Sequence, residues 1–137
     1  AAGLLYVIAS GGAGFRPGGF FSNGYDLLSP GGYSLVSALL VETLLTGGFV
    51  LIILGATRPG VPAVFVPFAG GLAYAAAMMV AIPVSNGSLN PARSTASAIF
   101  AQTDAIGQLW LFWLAPLVGA AIGALIWRAL LADDDEG

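Results

Sequence analysis

Residues 85–95 form a polar, irregular segment that lies among long apolar stretches of the chain. Within this segment, Asn90 and Pro91 are typical of a helix start, with Asn at the N-cap and Pro at the first helical position, where its missing N–H is not needed. The helix that begins there can extend to about Ala101. At 1.5 Å per residue it covers roughly 16 Å, which is about half of the hydrocarbon core of a bilayer.

The composition of the chain indicates whether this segment belongs to a soluble protein or to a membrane protein. Of the 137 residues, 58% are hydrophobic and 8% are charged, whereas a soluble domain carries about 25% charged residues. The sequence therefore predicts an all-α integral membrane protein. Because so short a helix cannot span the membrane, residues 85–101 are predicted to form a re-entrant loop and half-helix whose irregular part lines a polar cavity.

The rest of the chain divides into apolar stretches and polar connections. Three stretches are long enough to cross a bilayer with some tilt; they are residues 34–56, 61–84 and 106–131. Residues 10–33, rich in Gly, Pro, Ser and Asn, predict a loop, and residues 57–60 predict a tight turn. Residues 1–9 are apolar but too short to span, so we interpret them as the end of a truncated transmembrane helix and the chain as a fragment.

The arginines indicate how the spans are oriented. If the three spans alternate, Arg58 and Arg128 fall on one side of the membrane and Arg16 falls on the other. Positive charge is enriched in cytoplasmic loops. The turn around Arg58 and the acidic tail, residues 132–137, are therefore predicted to be cytoplasmic, and loop 10–33 is predicted to be outside.

The residue types of the chain argue against several function classes. There is no cysteine and no histidine, so thiolate ligands and the commonest acid–base group are both unavailable. No nucleophile–base pair, phosphate-binding loop or metal-ligating cluster is visible in the sequence. We therefore predict that the protein is not an enzyme, that it uses no cofactor or metal, and that it has no nucleic-acid partner.

Arg93 places a charge on the predicted half-helix, three residues after Asn90 and so on roughly the same face. It could snorkel to lipid headgroups. The functional interpretation is a fixed cation at a constriction, with Ser88 and Ser94 as further polar wall residues. Together with roughly half a positive charge at the half-helix N-terminus, Arg93 would admit neutral hydrogen-bonding molecules and reject protons and cations.

Two other groups would face the same cavity. Asn90 offers an amide donor at the start of the half-helix, although it could equally be a plain N-cap. An extended Asn86-Gly87-Ser88 segment would present its backbone carbonyls as a ladder of acceptors.

Glu42 lies within the first span, where a carboxylate is expensive and needs an interior partner. It could serve as a proton relay or ion site. Because no histidine, lysine or second acid accompanies it, we favour a structural role in which Glu42 accepts hydrogen bonds from backbone N–H groups of the re-entrant loop.

The segment Ser88-Leu89-Asn90-Pro91-Ala92-Arg93-Ser94 resembles the second NPA box of the aquaporin (major intrinsic protein) family, in particular its bacterial members. The flanks are similar too, at Glu42 and at residues 29–34, 55–57, 82–84 and 109–113. The resemblance covers essentially the whole chain. It implies a tetrameric channel in which every protomer has its own pore, built from two inverted halves of three spans and one NPA half-helix each. This chain corresponds to the second half.

The resemblance also implies roles for single residues. Asn90, Pro91 and Ala92 would be the NPA motif, Arg93 the arginine of the selectivity filter, and Glu42 the acid that supports the re-entrant loop. Ser94 lies where water channels keep a small residue and glycerol facilitators carry Asp.

Two filter positions depart from the pattern of the water channels. Met78 stands where a filter histidine is usual, and Gly87 stands where the loop usually contributes Thr or Cys. Methionine is a poor hydrogen-bond partner and glycine leaves space, so these departures indicate a more apolar pore and leave the passage of glycerol-like solutes open.

We therefore predict a passive, proton- and ion-excluding water channel of the bacterial inner membrane. Its expected partners are water, glycerol-like solutes, lipid, the missing N-terminal half and further copies in a homotetramer. Three alternatives stay open. A glycerol or small-solute facilitator is favoured by Met78 and Gly87 and opposed by Ser94. A non-conducting truncated fragment would explain the missing half. An ion-coupled transporter with a broken helix would have only Glu42 and Arg93 as membrane charges.

Overall fold

The computed structural model describes residues 1–131, and this part of the chain is helical with no strand. The helices are α1 (Ala2–Ser10), α2 (Leu35–Ala56), α3 (Phe65–Ser85), α4 (Pro91–Ala98) and α5 (Ala105–Ile126). A 3₁₀ turn covers Asp26–Leu28, and a π-helical turn, Trp127–Leu131, follows α5. The predicted all-α membrane fold is confirmed, since α2, α3 and α5 are each long and apolar enough to cross a bilayer. The predicted acidic tail lies outside the described residues.

The ends of the helices follow local chemistry. Helix α2 begins after Ser34, whose side chain accepts a hydrogen bond from the backbone N–H of Ser37 in an N-cap. Helix α3 begins at Phe65 instead of near Val61, because the chain first makes a turn in which the N–H of Phe65 donates to the carbonyl of Pro62. The predicted spans and the observed helices thus differ at the start of α3 and at the end of α5, where a π-helical turn follows Ile126.

Helices α2 and α5 touch through glycines. A β-carbon on Gly47 would lie 2.9 Å from the carbonyl oxygen of Gly119, and a β-carbon on Gly119 would overlap the carbonyl oxygen of Thr43. One turn further along α5, Gly123 faces the carbonyl of Gly47 in the same way. Small residues at these positions let the two backbones approach without intervening side chains.

The loop before α2 closes the end of α3. Pro83 lies inside α3 and interrupts its hydrogen-bond ladder, and the last carbonyls of a helix lack partners within the helix. Here the loop supplies them: the N–H of Gly31 donates to the carbonyl of Pro83 over 2.8 Å, and the hydroxyl of Ser29 donates to that of Val84 over 2.7 Å. The loop is therefore fixed directly above the segment that connects α3 to α4.

Candidate functional site

Helix α4 begins as the sequence suggests, with Asn90 at the N-cap and Pro91 as its first residue. The Asn90 side-chain oxygen accepts hydrogen bonds from the N–H groups of Ala92 (2.9 Å) and Arg93 (3.3 Å). The helix ends at Ala98, earlier than the predicted Ala101, so it is about 12 Å long. Only the oxygen of Asn90 is used in capping, and its NH₂ group makes no hydrogen bond within residues 1–131.

Glu42 is completely buried beside the re-entrant segment. One carboxylate oxygen accepts hydrogen bonds from the backbone N–H of Ser88 (2.8 Å) and the hydroxyl of Ser85 (2.6 Å). The other oxygen accepts from the backbone N–H of Leu89 (2.8 Å). These are the contacts that the structural interpretation of Glu42 predicts. Three donors of the protein thus share the two carboxylate oxygens.

The connection between α3 and α4 is not extended, and that part of the prediction is wrong. Asn86 and Gly87 both have left-handed backbone conformations, with φ of 64° and 58°, and Leu89 follows with a φ of 52°. Asn and Gly tolerate this region best among the amino acids. The tight turn lets the Ser88 and Leu89 N–H groups point inward at Glu42, while the carbonyl of Asn86 points toward Arg93.

Ser88 holds this turn against α4. Its hydroxyl accepts a hydrogen bond from the Asn90 N–H (3.2 Å), lies 3.2 Å from the Asn90 carbonyl, and makes a short hydrogen bond to the Ser94 hydroxyl. Both serine side chains are buried. Ser88 and Ser94, which the sequence suggests as polar wall residues, therefore serve here as internal supports of the half-helix start.

The guanidinium of Arg93 donates hydrogen bonds to acceptors within the protein and does not extend away from it toward lipid headgroups. One terminal nitrogen donates to the carbonyl of Phe21 over 2.8 Å and, in a shorter bond, to the side-chain oxygen of Asn23. The other donates to the carbonyl of Asn86 over 3.2 Å. Phe20 and Phe21 line, with Arg93, a cavity of about 520 Å³ between α1 and α4. The guanidinium is thus fixed in direction and keeps further N–H donors for that cavity.

Asn23 is a site residue that sequence reasoning missed. Its amide is 2% exposed; it donates to the carbonyl of Ser85 (3.0 Å) and accepts from Arg93 and from the Ser94 hydroxyl (2.7 Å). One side chain therefore connects the loop of residues 10–33, the end of α3 and the start of α4. Its sequence neighbours, Ser22 and Gly24, are typical of any loop, so nothing local distinguishes it.

Replacing Asn23 with Ala should destabilise the protein by about 1–3 kcal/mol, because Arg93, Ser94 and the Ser85 carbonyl would each lose a buried partner. The measurement is thermal unfolding of the purified complete protein in detergent. Ser22→Ala is the matched control, since no hydrogen bond of the Ser22 side chain occurs among residues 1–131. Equal melting temperatures for the two variants would contradict the bridging role of Asn23.

Met78 and Gly87, the two departures from the water-channel pattern, lie against each other. A β-carbon on Gly87 would lie 2.7 Å from the sulfur of Met78. Met78 is half-buried and packs against the cluster of Ala77, Ala81 and Leu89. The two departures are therefore coupled: the thioether occupies the space that a larger side chain at residue 87 would need.

Comparison with known proteins shows the family of the chain. Residues 1–127 match the Major intrinsic protein family. Over 134 residues, 98% of this chain, the sequence is 58% identical to aquaporin Z of Brucella melitensis biotype 1. The chain spans 59% of the length of that relative. It therefore belongs to the major intrinsic protein family, as the resemblance of its NPA segment indicated.

Proposed function

We propose that this chain forms the second half of a transmembrane channel that conducts water passively and excludes ions and protons. The observation that carries the proposal is the pair of fixed donors on α4. Asn90 is oriented by its own capping bonds, and Arg93 is oriented by Phe21, Asn23 and Asn86. Donors that are fixed in advance can replace the hydration of a passing molecule without reorganising.

The charges of the site support neutral over charged substrates. The N-terminus of α4 and the Arg93 guanidinium belong to the same short helix, and both carry positive potential that opposes the entry of cations and protons. The carbonyl of Asn86 accepts a hydrogen bond from Arg93, and it has a second lone pair for a molecule in the conduit. A neutral molecule that both donates and accepts hydrogen bonds, such as water, fits this alternation of donor and acceptor.

Passive conduction is favoured over ion-coupled transport by the state of Glu42. A coupling carboxylate must exchange an ion or proton with the conduit. Both Glu42 oxygens instead accept hydrogen bonds from the protein, from the N–H groups of Ser88 and Leu89 and the hydroxyl of Ser85, in a fully buried position. The family to which the chain belongs agrees with this reading, because the relative it matches is called aquaporin Z.

Small neutral solutes such as glycerol are a second candidate substrate class, favoured by Met78. Its thioether gives the wall beside Gly87 an apolar, polarisable surface that suits the C–H face of a small alcohol.

We also propose that the complete protein is a multi-pass homotetramer of the bacterial inner membrane. Its first half would supply the other NPA half-helix, and the turn around Arg58 would face the cytoplasm.

The direct test is stopped-flow light scattering on proteoliposomes of the complete protein. A sucrose shock should shrink them faster than empty liposomes, and a glycerol shock then tells the two substrate classes apart. Rapid re-swelling in glycerol would make the protein a solute facilitator. If neither water nor glycerol moved faster than through empty liposomes, the channel proposal would fail.

Arg93→Ala should raise the permeability for glycerol relative to that for water by at least about tenfold, because a hydrogen bond from a charged donor contributes about 1.5–3 kcal/mol and each 1.4 kcal/mol is a factor of about ten. The same proteoliposome assay measures this ratio. Arg16→Ala is the control, since it removes one exposed cation from the outer loop. A ratio unchanged from wild type in the Arg93 variant would place the filter elsewhere.

A further inference from the structure

One face of α3 carries a row of residues that ends at the segment connecting α3 to α4. Tyr74, Met78, Ala81 and Ser85 recur at intervals of three and four, so they lie along one side of the helix. At the outer end of the row, Ser85 donates to Glu42 and accepts from the N–H of Gly87. Next along it, Met78 touches Gly87. Tyr74 continues this wall by one more turn, away from the outer loop.

Tyr74 lies at the middle of its span. It is the tenth of the 21 residues of α3, about 15 Å from either end of the helix. A phenol hydroxyl at that depth has no lipid group with which to form a hydrogen bond, so it needs a protein partner or a polar cavity. The apolar residues around Tyr74 have no such need for a hydrogen-bond partner.

The structure positions the ring of Tyr74 but leaves its hydroxyl open. Phe49 of α2 holds the ring edge-on, with the ring centroids 6.1 Å apart. Among residues 1–131, no hydrogen bond reaches the hydroxyl, and 41% of the side chain is exposed. Met78, one turn later on the same face of α3, lies against Gly87 of the segment that connects α3 to α4, so Tyr74 is on the face of α3 that carries this contact.

We propose that Tyr74 is a specificity-determining residue of the conduit, where its hydroxyl provides a hydrogen-bonding position on an otherwise apolar stretch of wall. The inference rests on the proposed channel function and adds to it a side chain beyond Met78, Gly87 and Arg93. A hydroxyl both donates and accepts, so this position serves neutral molecules that carry hydroxyl groups: water, and small alcohols if they enter.

The first experiment asks whether residue 74 faces the conduit. The described chain has no cysteine, so a single Tyr74→Cys can be placed in the complete protein, with any cysteine outside this segment replaced. Mercuric chloride should remove most of the water permeability of this variant in proteoliposomes, and a thiol reductant should restore it. Met79→Cys is the control, because Met79 is 80% exposed on a different side of α3, and mercury there should leave permeability unchanged.

The second experiment asks what the hydroxyl does. Tyr74→Phe keeps the ring against Phe49 and should lower the permeability for the most polar molecule that the wild type conducts by about fivefold, the effect of one lost hydrogen bond. Tyr33→Phe removes a hydroxyl from the outer loop and should have no effect.

The outcomes separate the two proposals. If the wild type is no more permeable than empty liposomes, the channel function fails. If the wild type conducts but mercury does not act on Tyr74→Cys, or Tyr74→Phe behaves like wild type, the channel stands and the role of Tyr74 is overturned.

Discussion

Replacing Glu42 with Ala in the complete protein is expected to abolish conduction and to lower the melting temperature sharply. The carboxylate is the shared acceptor of the Ser88 and Leu89 N–H groups and of the Ser85 hydroxyl. In its absence, the two buried N–H groups are left unsatisfied at about 1–3 kcal/mol each, and the Ser85 hydroxyl keeps only its longer bond to the Ala81 carbonyl (3.3 Å). The combined loss is a large part of the stability of many proteins. Thermal unfolding in detergent and stopped-flow water permeability measure the two effects.

Glu42→Gln keeps the shape of the side chain and serves as the graded variant. Its amide oxygen can still accept, but its NH₂ group must face one of the remaining donors, so a melting temperature between those of wild type and the Ala variant is expected. Leu44→Ala is the control, because Leu44 is exposed on the outer face of the same helix. Wild-type permeability in Glu42→Ala would contradict the supporting role of the carboxylate.

Gly119→Ala is expected to have the second-largest effect, because it forces two spans apart. Its β-carbon would overlap the backbone carbonyl of Thr43, and a backbone atom cannot turn away as the end of a side chain can. Overpacking of this kind typically destabilises by about 1–3 kcal/mol. Here the displacement of α5 would also move Glu42, one residue before Thr43, relative to the loop it supports. Melting temperature and water permeability should therefore fall together.

Gly48→Ala is the matched control on the partner helix. Gly48 neighbours Gly47 in α2, but a β-carbon there would meet nothing within 4 Å. Since alanine is the better helix former by up to about 1 kcal/mol, this variant should be as stable as wild type or more so. If Gly119→Ala and Gly48→Ala had the same melting temperature, the close approach of α2 and α5 would not contribute to stability.

The fold was largely predictable because its main determinants are local. The length of the three apolar stretches and the Asn90-Pro91 helix start each depend on adjacent residues. The family resemblance, which the comparisons confirm, rests on a continuous segment around Arg93. Helix ends were less predictable. The residues before and after Phe65 are similarly apolar, so the sequence does not mark the turn that delays the start of α3 to Phe65.

Glu42, Asn90 and Arg93 could be named as candidate site residues from the sequence, but Asn23 and the contacts that join these residues could not. Asn23 is 70 residues from Arg93, and its identity as a partner follows only from the way the outer loop closes over α3. The contact of Met78 with Gly87 likewise joins two positions that the resemblance treats separately. The left-handed Asn86 and Gly87 arise because the Ser88 and Leu89 N–H groups must turn toward a carboxylate on another helix.

The bonds of Glu42 also have a consequence for biosynthesis. The Ser88 N–H that it accepts lies 46 residues later in the chain, and a ribosome adding about 5–20 residues per second needs roughly 2 to 9 s to make that length. During this interval α2 carries a carboxylate without its partners, at a cost of a few kcal/mol in a bilayer. Until then α2 is a less stable span than its apolar residues alone would make it. It gains the missing stability when the chain has been made through Leu89, because the Ser88 and Leu89 N–H groups then reach the carboxylate.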